Sequence, residues 1–310
     1  PVGIGALLLL WALSGFNRTY NAGGYDIDRF ASLPVQRDGR VQPLDSVARN
    51  TLRLLSGRTE ATVEQTTADG STVTQKLPAA VWLLHLTARP DFADRMPVFR
   101  IDNPEVLGLL ELPRSEKYFA VQQLRPHFET IRAEAAKAPQ EAADRSPYET
   151  AVLKLYGNID RYHNLSHAFH PHGGLDGLAV EYGMWAMSVG PGLEAVSNRE
   201  AGKAFDEQAF NRFTFLANRY MDLSRLAGLG LVPPEAAGSA TEGTSGESSR
   251  AAGAGEDGAA GKWLNAGEAL LQTIQTREVP PILMEHAKLA AAWRAQDAAG
   301  FNDAVDALHA

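Results

Sequence analysis

Apolar residues in this chain recur at helical spacing over long stretches and alternate with polar ones over only a few short stretches. In one short run, Val35-Gln36-Arg37 and Arg40-Val41-Gln42 flank Asp38-Gly39, a pair that tolerates φ > 0 at both positions and so predicts a type I′ hairpin. Pro34 and Pro43 lack a donor N–H and bracket that ribbon. A helix is predicted next, with Asp45 as N-cap, Val47, Ala48, Leu52 and Leu55 along one side, and Gly57 closing it. ATVEQT and STVTQKL alternate in polarity around Ala68-Asp69-Gly70, which reads as a second, more polar hairpin. Residues 78–88 form an apolar run suited to a buried helix, and PVFRID after it is β-like. Asn103 caps another helix, with Pro104 at its first position. Good helix formers fill 120–138 and are divided by Pro126. Ser146-Pro147-Tyr148-Glu149 is a capping box, followed at helical spacing by Ala151, Val152, Leu155, Ile159 and Tyr162. Residues 204–227 place Phe210, Phe213, Leu216, Tyr220, Leu223 and Leu226 three and four apart, and further helices are predicted near 263–276, 281–297 and 299–309.

These elements predict a mainly α fold with short β-hairpins, an α+β class. Residues 2–15 are apolar and uncharged but fall short of the about 20 residues that cross a bilayer as a helix. They read as the outer end of a transmembrane helix, residues 1–16, with a signal-peptide h-region as the alternative. A polar connector (17–29) leads to a mostly helical extracytoplasmic domain (30–235) whose hairpins come first. Residues 236–261 have the composition of a flexible low-complexity loop, and 262–310 supply C-terminal helices of the same domain.

With 45% apolar residues, the chain can bury a sizeable core. Its 29 Lys+Arg against 37 Asp+Glu argue against a nucleic-acid surface, which needs clustered positive charge. With no cysteine, the chain holds no disulfide, thiol relay, Cys-ligated metal or CXXCH haem attachment site. No GxSxG elbow, HExxH or Gly-rich phosphate loop occurs, so no catalytic residue is assigned.

Two groups of residues carry candidate chemistry. Half of the chain's 8 histidines, His163, His167, His170 and His172, lie within ten positions. On a helix, His163, His167 and His170 at i, i+4 and i+7 would share a face and could ligate a transition metal or a haem iron, with no particular metal indicated. The alternative is a solvated or helix-capping role, favoured by the dipole near a helix C-terminus. Arg37, Arg40, Arg49, Arg53 and Arg58 make a positive island. Their guanidinium forks suit haem propionates or a partner's acidic residues, or else they pair with Asp26, Asp28, Asp38 and Asp45 nearby. His85, in VWLLHLT, reads as a satisfied core histidine.

The wording LPVQ-DGR-VQPLDS-ARN within residues 33–50, with PVFRIDNPEVLGLLEL…KYFAVQQL at 97–124, resembles the extracytoplasmic part of System II cytochrome c biogenesis proteins of the ResB/CcsA type. The resemblance covers most of 25–310, with weaker wording after about 160. It implies a cytoplasmic (inner) membrane protein with the bulk of this chain on the periplasmic side. It also implies a non-catalytic part of a holocytochrome c synthase-type system, which scaffolds haem delivery or positions apocytochrome c. Haem would be the cofactor of the full-length protein or its complex, and the partners would be the membrane, apocytochrome c and other assembly subunits. The Trp-rich haem-handling motif of that family is absent, since Trp82, Trp185, Trp263 and Trp293 stand apart. Two alternatives are a structural subunit of a membrane electron-transfer complex and a His-based metal- or haem-binding domain.

Overall fold

The Asp38-Gly39 pair does set the first turn: Asp38 has φ 51° and Gly39 φ 77°, the two left-handed conformations that a type I′ turn requires. In the computed structural model, which describes residues 23–66, 72–170, 177–234 and 262–310, this turn joins β1 (Pro34–Arg37) to β2 (Arg40–Pro43). Pro34 lies opposite Pro43, so the prolines do end the ribbon. A Cβ at Gly39 would meet nothing within 4 Å, so only backbone conformation selects glycine there. Gly39→Val is therefore expected to destabilise by about 1–2 kcal/mol, the cost of a left-handed L-residue, whereas Gly39→Asn stays near wild type. Urea unfolding reads the difference, and an equally stable valine variant would refute the turn assignment.

The chain is mainly helical with small antiparallel sheets. Helix α1 (Ile27–Ser32), capped by Asp26, precedes the hairpin, and its first residues fall within what the polarity pattern reads as connector. Helix α2 (Leu44–Ser56) begins one residue before Asp45, so Pro43, not Asp45, is its N-cap. Of the N–H groups that this helix end leaves free, the first is met elsewhere, as Leu44 N–H donates to Leu33 O at 3.0 Å. Asp45 instead lies in the first turn, where its charge complements the dipole, and holds Arg49 at 2.5 Å. The predicted inner side is right: Val47, Ala48, Leu52 and Leu55 are buried, and Gly57 ends the helix with φ 73°.

β3 (Glu60–Thr66) and β4 (Thr72–Pro78) form the second hairpin, and its predicted turn, Ala68-Asp69-Gly70, lies outside the described residues. All ten residues of α3 (Ala79–Ala88) are buried, as the apolar run predicts, the polar His85 and Thr87 included. After the single turn of α4 (Pro90–Ala93), β5 (Pro97–Arg100) pairs antiparallel with β6 (Tyr118–Ala120) around α5 (Pro104–Leu109). Asn103 caps α5, its Oδ1 accepting from Glu105 N and Val106 N at 2.8 and 3.1 Å. Pro126 divides the next stretch into α6 (Val121–Leu124), a 3₁₀ turn and α7 (Phe128–Lys137). The capping box opens α8 (Pro147–Ser166) as predicted.

Residues 178–200, which carry no predicted element, form the longest helix among the described residues, α9 (Leu178–Glu200), with Pro191 inside it. Within this helix Gly192 is a notch. A Cβ there would lie 2.3 Å from Phe213 Cβ, and the Phe213 ring stacks on Trp185 at 5.5 Å. Helix α10 (Glu207–Leu226) packs along α9, and between them Arg219 and Tyr220 both engage Glu181, at 3.3 and 3.1 Å. β7 (Gly230–Val232) and β8 (Leu264–Asn265) then extend the first hairpin into a four-stranded sheet of order β2-β1-β7-β8. Helices α11 (Ala266–Thr276), α12 (Pro281–Ala295) and α13 (Ala298–His309) follow. A single buried cluster runs from Ile27 to Val305, so the helices after residue 262 share a core with those before 235.

Among the described residues, no helix is long and apolar enough to cross a membrane. The apolar run 2–15 and the low-complexity run 236–261 lie outside the described residues.

Candidate functional site

The histidines of 163–170 meet the end of α8 rather than lying along it. The helix stops at Ser166, which leaves His163 in its last turn, His167 as its C-cap and His170 beyond it, so they do not share one helical face. His163 and His167 rings lie 4.4 Å apart and His167 and His170 rings 6.0 Å apart. A carbonyl can only accept, which fixes which ring nitrogens carry hydrogen. His167 Nδ1 lies 2.7 Å from His163 O and donates to it, and His170 Nε2 donates to Thr87 O at 3.1 Å. His167 and His170 are both buried. His170 thus serves the C-terminal end of α3, whose last carbonyl, Ala88 O, accepts from Arg294 Nη1 at 3.2 Å.

Among the described residues no group of three or more His, Cys, Asp or Glu side chains converges on a point where it could hold a metal ion. His172 lies outside the described residues.

Two further histidines pack into the core. His286 is buried and stacked on Phe169 with ring centroids 4.9 Å apart, and burial pushes its pKa down to about 4. His85 sits between Phe92 and Trp293, at 4.6 and 5.2 Å, and burial, aided by the charge of Arg89, brings its pKa to about 4 as well. Its position in the core matches expectation, but its hydrogen bonding does not. Nδ1 of His85 and Nδ1 of His286 have no hydrogen-bond partner among the described residues. Neutral imidazole is the form that such surroundings hold.

The arginine island divides. Arg49 is tied to Asp45, and the Arg58 guanidinium lies 3.8 Å from the centroid of the Tyr118 ring. Asp26 is used as the cap of α1, its Oδ1 accepting from Arg29 N at 3.0 Å. Arg40 and Arg53 are exposed, and neither forms an ion pair among the described residues. Arg37 differs from them all, with a side chain only 14% exposed. Its Nη1 donates to Thr51 Oγ1 at 3.3 Å, and its Nε is 3.7 Å from Asp38 Oδ2. Burial lowers its pKa from the ordinary value; Asp38 opposes that shift and Arg161 adds to it.

Arg161 belongs to α8, more than a hundred residues away in sequence, and spacing gives no signal for it. It arrives through Asn158, which donates to Leu54 O at 3.1 Å and accepts from Arg161 Nη1 at 3.3 Å. Thr51 and Leu54, the α2 residues that receive Arg37 and Asn158, are one helical turn apart.

The buried hydroxyls elsewhere serve structure. Tyr162 donates to Asp94 Oδ1 at 3.0 Å, and its pKa is raised by burial first and by the Asp94 charge second. Tyr182 donates to Phe169 O, and burial raises its pKa too. No protein-family model and no curated protein matches the chain.

Proposed function

We propose that the chain is the extracytoplasmic part of a membrane cytochrome c assembly protein, in which it scaffolds the machinery or positions apocytochrome c for haem attachment. The observation that carries this reading is where the family-like wording falls. Of its apolar letters, Leu33, Val35, Leu44 and Ala48 are buried core and Val41 is exposed, and its polar letters make the Asp38-Gly39 turn and the Asp45–Arg49 pair. The shared phrase thus encodes a rigid corner of hairpin and helix, a part suited to holding other components in register rather than to bond-making. Haem, on this reading, is held by residues of the full-length protein or its complex outside the cluster at 163–170, and the bulk of the chain faces the periplasm.

The test is to delete the chain from its host and stain membranes for covalently bound haem while blotting for the cytochrome polypeptide. Holocytochrome c should fall to background while the polypeptide is still made. Normal holocytochrome levels would reject the proposal.

A further inference from the structure

Three large apolar side chains that stay exposed among the described residues lie on α9: Val180 is 64% exposed, Met184 51% and Met187 77%. With Gly183, Gly190 and Pro191 they recur three and four apart from 180 to 191, an uncharged stripe on the side away from the buried Tyr182, Trp185, Val189 and Gly192. The one charge within that span, Glu181, is turned toward Arg219 and Tyr220 of α10. That pairing also places Phe215, 65% exposed, beside the stripe: the two helices run antiparallel, so Met184, a turn beyond Glu181, stands level with Phe215, a turn before Arg219. Gly183 and Gly190 add a second observation. A Cβ at Gly183 would meet nothing within 4 Å, and one at Gly190 only Arg277 Nη1 at 4.0 Å, whereas Gly192 makes room for Phe213. Glycine inside a helix is less stable than alanine, and no described residue occupies the room these two leave; what they permit is close approach from outside.

We propose that this face is the contact between two copies of the chain, with α9 packed antiparallel on α9 of a second copy about a two-fold axis at the level of Trp185. The stripe is its own complement in that arrangement. Such an axis sets each position opposite the one equally far on the other side of 185, so Met187 faces Gly183, Val180 faces Gly190, and each pairing occurs twice. Every large side chain thus meets a glycine. No charge is taken from water between 180 and 191 on this face, and the next residue along it, the exposed Glu194, stays at the rim. Val180, Met184, Met187 and Phe215 together present roughly 500 Å² of apolar surface, the size of patch that marks an interaction site. Two copies would bury on the order of 1,000 Å², the low end for a specific interface, which fits a reversible dimer with a dissociation constant of roughly micromolar size. The proposal is independent of the role in cytochrome assembly, since it concerns the affinity of the chain for itself.

Sedimentation equilibrium of the full 310-residue chain across the micromolar range should show passage from monomer to dimer and no further. Met187→Glu, at an exposed position, should keep the wild-type midpoint in urea and weaken dimerisation at least about a hundredfold, because a carboxylate would then be buried against Gly183 of the second copy without a partner. The chain has no cysteine, so engineered thiols report the register. Gly183→Cys mixed with Met187→Cys should give a disulfide-linked dimer on mild oxidation in air, and either variant alone far less, since only the mixture sets two thiols opposite each other across the axis. A chain that stays monomeric throughout would overturn the proposal. So would a Met187→Glu protein that associates as wild type does, which would assign the association to another surface, or cross-linking no greater in the mixture than in the single variants.

Discussion

Replacing Gly267 by alanine is expected to cost about 3 kcal/mol or more, since an added methyl group there meets the closest contact of any glycine among the described residues. Gly267 lies in the first turn of α11, where that helix passes α10, and a Cβ there would sit 2.1 Å from Ser224 N, 2.6 Å from Ser224 Cα and 2.7 Å from Leu223 C. All three are backbone atoms, which cannot swing aside as a side-chain tip would. The crossing is also pinned by Asn265, which donates to Ser224 O at 2.9 Å while capping α11 through Glu268 N. Relief would have to come from parting the two helices, with loss of the packing of Leu223 and Leu270, both wholly buried. Gly183 on α9 is the control. A Cβ there meets nothing within 4 Å, so Gly183→Ala should stabilise by up to about 1 kcal/mol through helix propensity alone. Urea denaturation of the two variants decides, and a Gly267→Ala protein as stable as wild type would mean that α10 and α11 do not cross as described.

Acidification should weaken the fold in a window that the buried imidazoles define. The pKa of His286 lies near 4 when folded and returns to 6.5 when unfolded, so between those values the unfolded chain binds a proton that the folded chain refuses. More protons on the unfolded side means that stability rises with pH: the contribution is complete above pH 6.5 and is lost as pH falls toward 4. For a group only 4% exposed, that shift corresponds to about 3 kcal/mol. His85 acts in the same direction over the same window. Glu134 and Glu149 act elsewhere, because their hydrogen bonds to Lys137 and to Ser146 lower their pKa values from 4.5, and their share is lost only at more acid pH. Unfolding measured from pH 7 to 4 should show a steep loss for wild type and a flatter one for His286→Leu. The same slope in both proteins would show that His286 is not the group responsible.

Much of the fold was legible wherever the instruction is local. Asn103-Pro104, Ser146-Pro147-Tyr148-Glu149 and Asp38-Gly39 each specify a cap or turn with side chains a few residues apart, and each forms as predicted. Long-range consequences were not legible. Strands β6, β7 and β8 have three, three and two residues, too few for alternation to be seen, and they exist because distant chain offers them partners. Helix α9 was hidden by glycines and a proline that suit close packing against Phe213. Among the candidate site residues, the histidine spacing held only while the helix lasted, and the helix ends at Ser166. Arg37 could be picked out by composition, but Arg161 could not, since only the docking of α8 on α2 places it there.

The sheet order β2-β1-β7-β8 makes the first hairpin wait for its neighbour. As the chain leaves the ribosome, β1 finds β2 at once, but its other edge is covered only when Gly230 arrives opposite Gln36, almost two hundred residues later. The same delay governs α1: Asp26 N donates to Asn302 Oδ1 at 2.8 Å, and Gly24 O accepts from Asn302 Nδ2 at 2.9 Å. Until synthesis reaches β7 the nascent polypeptide therefore carries an open strand edge, and until it reaches α13 Phe30 lacks its partner Phe301. That is the interval in which a chaperone would find it, and in which a stalled or truncated product would aggregate.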